Sequence, residues 1–303
     1  MRVAVSGSTG LVGSEVVTVL SAEGHEVVRL VRRAPAPGDK TIRWDPEAGV
    51  IDAGGLEGCD AVVHLAGENV GAGRWTVARK AAIRDSRVKG TRLLCDALAG
   101  LARPPKTLVC ASAVGYYGDR GEEVLTEESP PGAGFLPDVC REWEAASAAA
   151  ARKGIRVVAL RIGRVLSPKG GALARMLPLF RAGLGGVLGS GKQYVSWVAL
   201  DDLTGIVLHA LSRDELRGPV NAVTPHPVTN RELTEALGKV LSRPTLLPVP
   251  SFALRLAVGE MADPLLLASA RVAPRRLEET GYRFRFPELR AALRHLLGKQ
   301  EEP

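Results

Sequence analysis

Three glycines, Gly7, Gly10 and Gly13, stand between the β-branched run Val3-Ala4-Val5 and a stretch, Leu11 to Glu23, whose apolar residues recur at helical spacing. In that setting the spacing predicts a strand, a tight turn and a helix closed by Gly24 as C-cap. Each glycine has a task. The first permits the turn, the second lets backbone approach a pyrophosphate, and the third lets helix and strand pack closely. The free N–H groups and positive end of the helix then offer an anion site, so the motif points to a bound dinucleotide.

Downstream, Glu26 to Val31, Ala61 to Leu65, Thr107 to Ala111 and Ile155 to Ile162 read as further strands, with helical stretches at Thr76–Leu101 and Val139–Arg152. Continuous apolar strands alternating with helices predict an α/β fold, a Rossmann-type doubly wound parallel sheet. Past Ser167 the composition shifts, as Pro168-Lys169-Gly170-Gly171 opens a glycine-rich segment. Tyr194 to His209 reads as strand then helix from Asp201, and Thr229 to Leu241 as a helix capped by Thr229 or Asn230. The expected organisation is a dinucleotide-binding domain over 1–166 and 193–224, with a smaller C-terminal substrate or cap domain over 167–192 and 225–303.

The end of the second strand bears on which dinucleotide binds. It reads Leu30-Val31-Arg32-Arg33, with no carboxylate to accept hydrogen bonds from a ribose 2′-OH. Arg32 instead offers a planar fork suited to a 2′-phosphate, which favours NADP(H) over NAD(H). Lys plus Arg exceed Asp plus Glu by seven, 40 against 33, but no basic run is interleaved with stacking aromatics, so no nucleic-acid partner is expected. Cys59, Cys95, Cys110 and Cys140 form no C-x-x-C pair, and His64 and His209 read as satisfied core residues, so no metal site is expected. The chain enters its first strand with no export signal, and its apolar stretches are cut by charge before spanning length. A soluble, cytoplasmic protein with no membrane partner is expected.

Beyond the glycine turn, Asp60-Ala61-Val62-Val63-His64-Leu65-Ala66-Gly67, Val88-Lys89-Gly90-Thr91 and Leu160-Arg161-Ile162-Gly163 resemble successive landmarks of the extended short-chain dehydrogenase/reductases, the NAD(P)-dependent epimerase/dehydratase group. Ala66-Gly67-Glu68-Asn69, Gly115-Tyr116-Tyr117-Gly118, Cys140-Arg141-Glu142-Trp143-Glu144 and, in the tail, Phe284-Arg285-Phe286-Pro287 resemble an atypical branch, the epimerase family proteins, with its C-terminal domain of unknown function. The resemblance runs from Gly7 to Leu297. It implies an NADP(H) site in which Gly7, Thr9, Gly10, Leu11 and Val12 hold the pyrophosphate and Arg32 the 2′-phosphate, while Leu65, Ala66 and Gly67 line adenine and ribose. Arg87, where extended members commonly carry Asn, is placed with the cofactor contacts, and Arg161 joins them as anchor of either a strand end or an anionic substrate. A homodimer through the helices Thr76–Leu101 and Val139–Arg152 is also implied.

The catalytic pattern of that group is broken. Its Tyr-x-x-x-Lys pair, in which the lysine lowers the tyrosine pKa for proton transfer, falls on Leu136 and Cys140, which cannot do this work. Ser112 resembles the accompanying hydroxyl, and Tyr117, or its neighbour Tyr116, is the candidate replacement acid. Cys140, lacking a nearby histidine, reads as a half-buried hydrophobe. Gly189-Ser190-Gly191-Lys192-Gln193 lacks P-loop spacing and reads as a mobile wall over the nicotinamide, with Tyr194 and Trp197 as apolar surface. Two functions follow: an oxidoreductase or epimerase-like enzyme acting on a small substrate that the sequence does not identify, or a catalytically silent NADP(H)-binding redox sensor or regulatory interaction protein.

Overall fold

Val3, Ala4 and Val5 are fully buried in β1 (Arg2–Ser6), as a central parallel strand with both faces covered requires. A computed structural model describes residues 1–33 and 38–299. After the glycine turn come α1 (Leu11–Ala22), β2 (Glu26–Val31), β3 (Thr41–Asp45), β4 (Val50–Ile51), β5 (Ala61–His64), α2 (Val77–Gly100) and β6 (Thr107–Ala113). The short β7 (Val124–Leu125), α3 (Phe135–Ala145) and α4 (Ala148–Arg152) lead to β8 (Arg156–Ile162) and β9 (Arg164–Leu166). Then follow α5 (Gly171–Arg181), β10 (Tyr194–Val195), β11 (Trp197–Ala199), α6 (Leu200–Ser212), β12 (Gly218–Ala222) and β13 (Val228–Thr229). The remainder is α7 (Asn230–Leu241), α8 (Ser251–Val258), a π turn over Asp263–Leu267, β14 (Arg271–Val272), α9 (Arg275–Glu279) and α10 (Leu289–Leu296).

Eight strands form one sheet in the order β12-β8-β6-β5-β1-β2-β3-β4, parallel throughout except for the antiparallel β3–β4 edge. The fold is therefore the expected Rossmann-like parallel sheet. Strand order reverses at β1, whose neighbours are β2 and β5, and this opens a crevice at the carboxyl ends of those strands. On one face Val16 and Leu20 of α1 pack with Leu203 and Ile206 of α6, and on the other Leu94 and Leu98 of α2 cover Val62 and Leu108. A separate core joins Leu173, Phe180 and Trp197 to Leu233, Leu237, Leu289 and Leu293.

Several local expectations need correction. Val139–Arg152 is not one helix. It starts earlier, at Phe135, and breaks after Ala145, where the Ser147 hydroxyl donates to the Glu144 carbonyl and offers the backbone an alternative to the helical ladder. β3 and β12 were not expected as strands, and the helix placed at Asp201 begins at Leu200. In the glycine-rich loop Lys192 is exposed, but Gln193 presents no polar tip. Gln193 is buried and donates to the carbonyls of Leu188 (3.0 Å) and Leu266 (3.2 Å), while Trp197 is fully buried in the C-terminal core. Thr229 does cap α7, in a capping box with Glu232.

Candidate functional site

A groove of about 930 Å³ lies over the carboxyl ends of β1, β2 and β5. Its floor is the glycine turn, and the backbone there has no room for side chains. Gly7 sits at φ +67°, and a Cβ on it would fall 2.8 Å from the amide nitrogen of Ala66. A Cβ on Gly13 would drive into the Gly7 carbonyl, so α1 can lie against β1 only with glycine there. Gly10 caps α1 without a side-chain bond, which leaves the first N–H groups of a twelve-residue helix free to meet an anion.

Thr9, Gly10, Leu65, Ala66, Gly67 and Arg32 line this groove together with Gly7. Arg32 is exposed at its rim, whereas Arg33 pairs with Asp39 at 2.8 Å. Leu11 and Val12 turn their side chains elsewhere, Leu11 onto Gly170 and Val12 into the core, so only their backbone serves the groove. Arg87 lies beneath Gly67, its Cζ 3.3 Å from where a Gly67 Cβ would be, and rests 5.0 Å from the ring centroid of Trp143.

A buried polar chain holds the groove from below. Ser6 Oγ accepts from the amides of Leu65 (3.2 Å) and Ala66 (3.4 Å) and lies 2.6 Å from His64 Nδ1. With its acceptor side used, the Ser6 hydroxyl donates to Nδ1, so Nε2 carries the ring proton and donates to Thr91 Oγ1 at 3.0 Å. Trp143 Nε1 donates to the same oxygen at 2.9 Å. Burial pushes His64 down to about 4, so the ring is neutral at pH 7.

Arg161 does not reach the groove. It is buried near the carboxyl end of β8, beside Ser112 of β6, where Nε and Nη2 donate to the two carboxylate oxygens of Glu144 at 2.9 Å each and Nη1 donates to Tyr117 Oη at 2.9 Å. Its Cζ stands 3.5 Å from the ring centroid of Tyr116. Tyr117 is fully buried, its hydroxyl also 2.7 Å from Asn221 Oδ1 and 2.9 Å from the Thr126 carbonyl, and burial pushes the phenol up to about 12. A phenol held this way has no proton to exchange with a ligand, so the geometry argues against Tyr117 as acid and leaves the partly exposed Tyr116 as the available one. Ser112 is buried too and donates to Glu144 Oε1 at 2.7 Å, a bond it must give up before it can orient a substrate. Cys140 is buried rather than half-buried, and burial pushes its thiol up to about 12.

Two contributors escaped the sequence reading. Trp44 of β3 walls the groove and packs edge-on against His64, with ring centroids 5.5 Å apart. The alternation of buried Ile42 and Trp44 with Thr41 and Arg43 is the strand signal that would have found it. Glu144 was visible only as a landmark, and nothing in the spacing names Arg161 and Ser112 as its partners. Among the described residues no group of three or more His, Cys, Asp and Glu side chains is arranged to hold a metal, and no helix is long and apolar enough to cross a membrane.

The reversed strand order, the glycine turn under α1 and the groove beside them define a protein of the dinucleotide-fold class. The chain belongs to the NAD dependent epimerase/dehydratase family, which residues 3–222 match, and residues 249–296 match a domain of unknown function, DUF1731. An epimerase family protein of Mycobacterium bovis is 46% identical over 293 residues, covering 96% of each chain. The human epimerase family protein SDR39U1 is 40% identical over 300 residues, covering 98% of this chain and 100% of its own. A crystal structure of human epimerase family protein SDR39U1 (isoform 2) with NADPH superposes with a TM-score of 0.91 at 37% identity, covering 99% of this chain and 100% of that one.

Proposed function

We propose that the chain is an NADP(H)-dependent oxidoreductase or epimerase-like enzyme acting on a small substrate. Arg32 carries the reading: it stands exposed at the rim of a glycine-floored groove, just past the carboxyl end of β2, where Leu30-Val31-Arg32-Arg33 holds no carboxylate. The residues fit the cofactor. The Gly7 and Gly13 positions form a cradle that any Cβ would fill, and Trp44 Nε1, on the groove wall, is buried with no hydrogen-bond partner among the described residues. The NADPH in the SDR39U1 crystal structure supports the same reading. The backbone of Gly10, Leu11 and Val12 would hold the pyrophosphate, Arg32 the 2′-phosphate, and Leu65 to Gly67 the adenosine side. A nicotinamide cofactor supplies hydride chemistry when bound. Tyr116, with the Arg161 guanidinium against its ring face, is the phenol placed to hold or release a proton.

Calorimetric titration of the wild type and Arg32→Ala with NADPH and NADH tests this. NADPH is expected to bind more tightly than NADH, and the variant to lose ~10–100-fold in NADPH affinity while its NADH affinity barely changes. Equal NADPH affinity in the two proteins would remove Arg32 from the site. A second reading, a catalytically silent NADP(H)-binding sensor or regulatory protein, is favoured by the sealed Tyr117 and by Leu136 and Cys140 at the positions of the usual pair. It requires a partner whose affinity differs between the NADP⁺ and NADPH forms.

A further inference from the structure

Six of the ten large apolar residues that stand exposed among the described residues gather in two short segments. Leu179 and Leu184 lie at the end of α5 and just past it, and Leu246, Leu247, Phe252 and Leu256 lie before and within α8. Each is between 53% and 82% exposed. The two segments run side by side. Arg243 Nε donates to the Arg181 carbonyl at 2.9 Å, and a Cβ on Gly183 would meet Pro244 Cγ at 3.8 Å. The Val249 amide donates to the Val187 carbonyl at 2.8 Å, and the Val249 carbonyl accepts from the Gly189 amide at 2.9 Å. On α8, Phe252 and Leu256 are four residues apart and share one face of the helix. The helix is held from its other side, where Leu254 is buried, and at its end, where Arg74 Nη2 donates to the carbonyls of Leu256 (2.7 Å) and Ala257 (3.2 Å). A face fixed in this way loses little freedom on association.

A leucine or phenylalanine offers roughly 150–200 Å² when fully exposed, so these six leave about 600–800 Å² open to a partner. The largest apolar patch of an ordinary monomer is about 300–600 Å², and a standard interface takes about 800 Å² from each side. The area is that of one half of a dimer contact. Charge points to the same occupant. Arg255, between Phe252 and Leu256, is neutralised by Asp263, to which its Nε (3.1 Å) and Nη2 (2.9 Å) donate. Arg181 and Arg243 are exposed near the Pro244 end of the patch and form no ion pair among the described residues, while Glu260 and Asp263 are exposed past the far end of α8. A two-fold axis across α8 lays two copies of the helix antiparallel and brings the basic end of each toward the acidic end of the other. An anionic lipid surface would be repelled by that acidic end. The helices from which a homodimer is implied by resemblance offer charge instead. Arg84 Nε donates to Glu142 at 2.7 Å and Arg141 pairs with Asp138 at 2.9 Å, and among the described residues Val77 is the one exposed large apolar residue of α2, α3 and α4.

We propose that α8, with segments 179–184 and 246–247, is the interface of a symmetric homodimer, a second copy of this chain seating the same face on it. The contact gives part of the DUF1731 segment, residues 249–296, a task separate from the cofactor groove.

Sedimentation velocity of the full chain over the micromolar range tests this. The wild type is expected to dimerise, and Phe252→Glu and Leu256→Glu each to raise the dimer dissociation constant ~10-fold or more, with the circular dichroism of the wild type. Arg92→Glu, on the exposed side of α2, is expected to leave the dimer intact. A dimer that survives both α8 variants overturns the proposal, and its loss in Arg92→Glu would return the contact to α2. A wild type that stays monomeric throughout overturns it as well. If that monomer floats with phosphatidylglycerol vesicles and Leu256→Glu does not, the face takes lipid in place of a second copy.

Discussion

Replacing Glu144 by alanine is expected to lower the unfolding free energy by about 3–5 kcal/mol, the usual result of removing one partner of a buried ion pair. The Arg161 side chain is 3% exposed and that of Glu144 17%, so neither charge leans on water. Glu144 is the carboxylate of this cluster. It receives two hydrogen bonds from Arg161 and one from Ser112, and without it the guanidinium keeps only Tyr117, the Glu127 carbonyl and the face of Tyr116. Desolvation works against the charged guanidinium, and the bonds to Glu144 and Tyr117 more than offset it, so the net displacement of the Arg161 pKa is upward. Arg161→Met should cost a similar amount by stranding the carboxylate. The double variant Arg161→Met/Glu144→Leu should return much of the loss, because an apolar pair escapes the desolvation both charges suffer. Urea midpoints of the four proteins check this. Single-variant losses below about 1 kcal/mol would class the pair with exposed ion pairs instead.

That cluster marks where reading the chain stops. The strands β1, β5, β6 and β8 are legible because a parallel strand covered on both faces must hold a run of small or apolar residues, as Val3-Ala4-Val5, Ala61-Val62-Val63, Leu108-Val109-Cys110-Ala111 and Val157-Val158-Ala159-Leu160 do, and β2 is legible from Val27-Val28 and Leu30-Val31 on either side of the exposed Arg29. β12 is not legible, since Gly218-Pro219 looks like a turn; its place at the edge of the sheet, paired only with β8, is what tolerates the proline. The cofactor half of the site could be read because it is local: a glycine turn and a strand end lie within one β-α-β unit. The other half is assembled from strands and helices far apart in sequence. Arg161 meets Glu144 across 17 residues, Ser112 meets Glu144 across 32 and Tyr117 meets Asn221 across 104. No periodicity reports such pairings, so the partner of a buried arginine is visible only once the fold is known.

His64 should give the largest pH effect on stability. Its ring is held near 4 by burial against an ordinary value of 6.5, so between those values the unfolded chain binds a proton that the folded ring refuses. Its contribution is therefore complete above about pH 6.5 and is lost as pH falls toward 4, roughly 3 kcal/mol over the whole window at about 1.4 kcal/mol per unit. At pH 5 about 2 kcal/mol of it should already be gone. Protonation also breaks the chain of bonds, because a charged imidazole can only donate, and the Ser6 hydroxyl would have to turn from Nδ1 toward amides that already point at its oxygen. Urea unfolding of wild type and His64→Gln at pH 7.5 and pH 5 isolates this, since the other histidines titrate in both proteins and cancel in the difference. The wild-type advantage at pH 7.5 should shrink by about 2 kcal/mol at pH 5, and parallel behaviour of the two proteins would mean that the ring accepts its proton in the folded state. Leu65 and Ala66 hang from Ser6 by their amides and line the groove, so the same acidification should weaken NADPH binding in the wild type more than in His64→Gln.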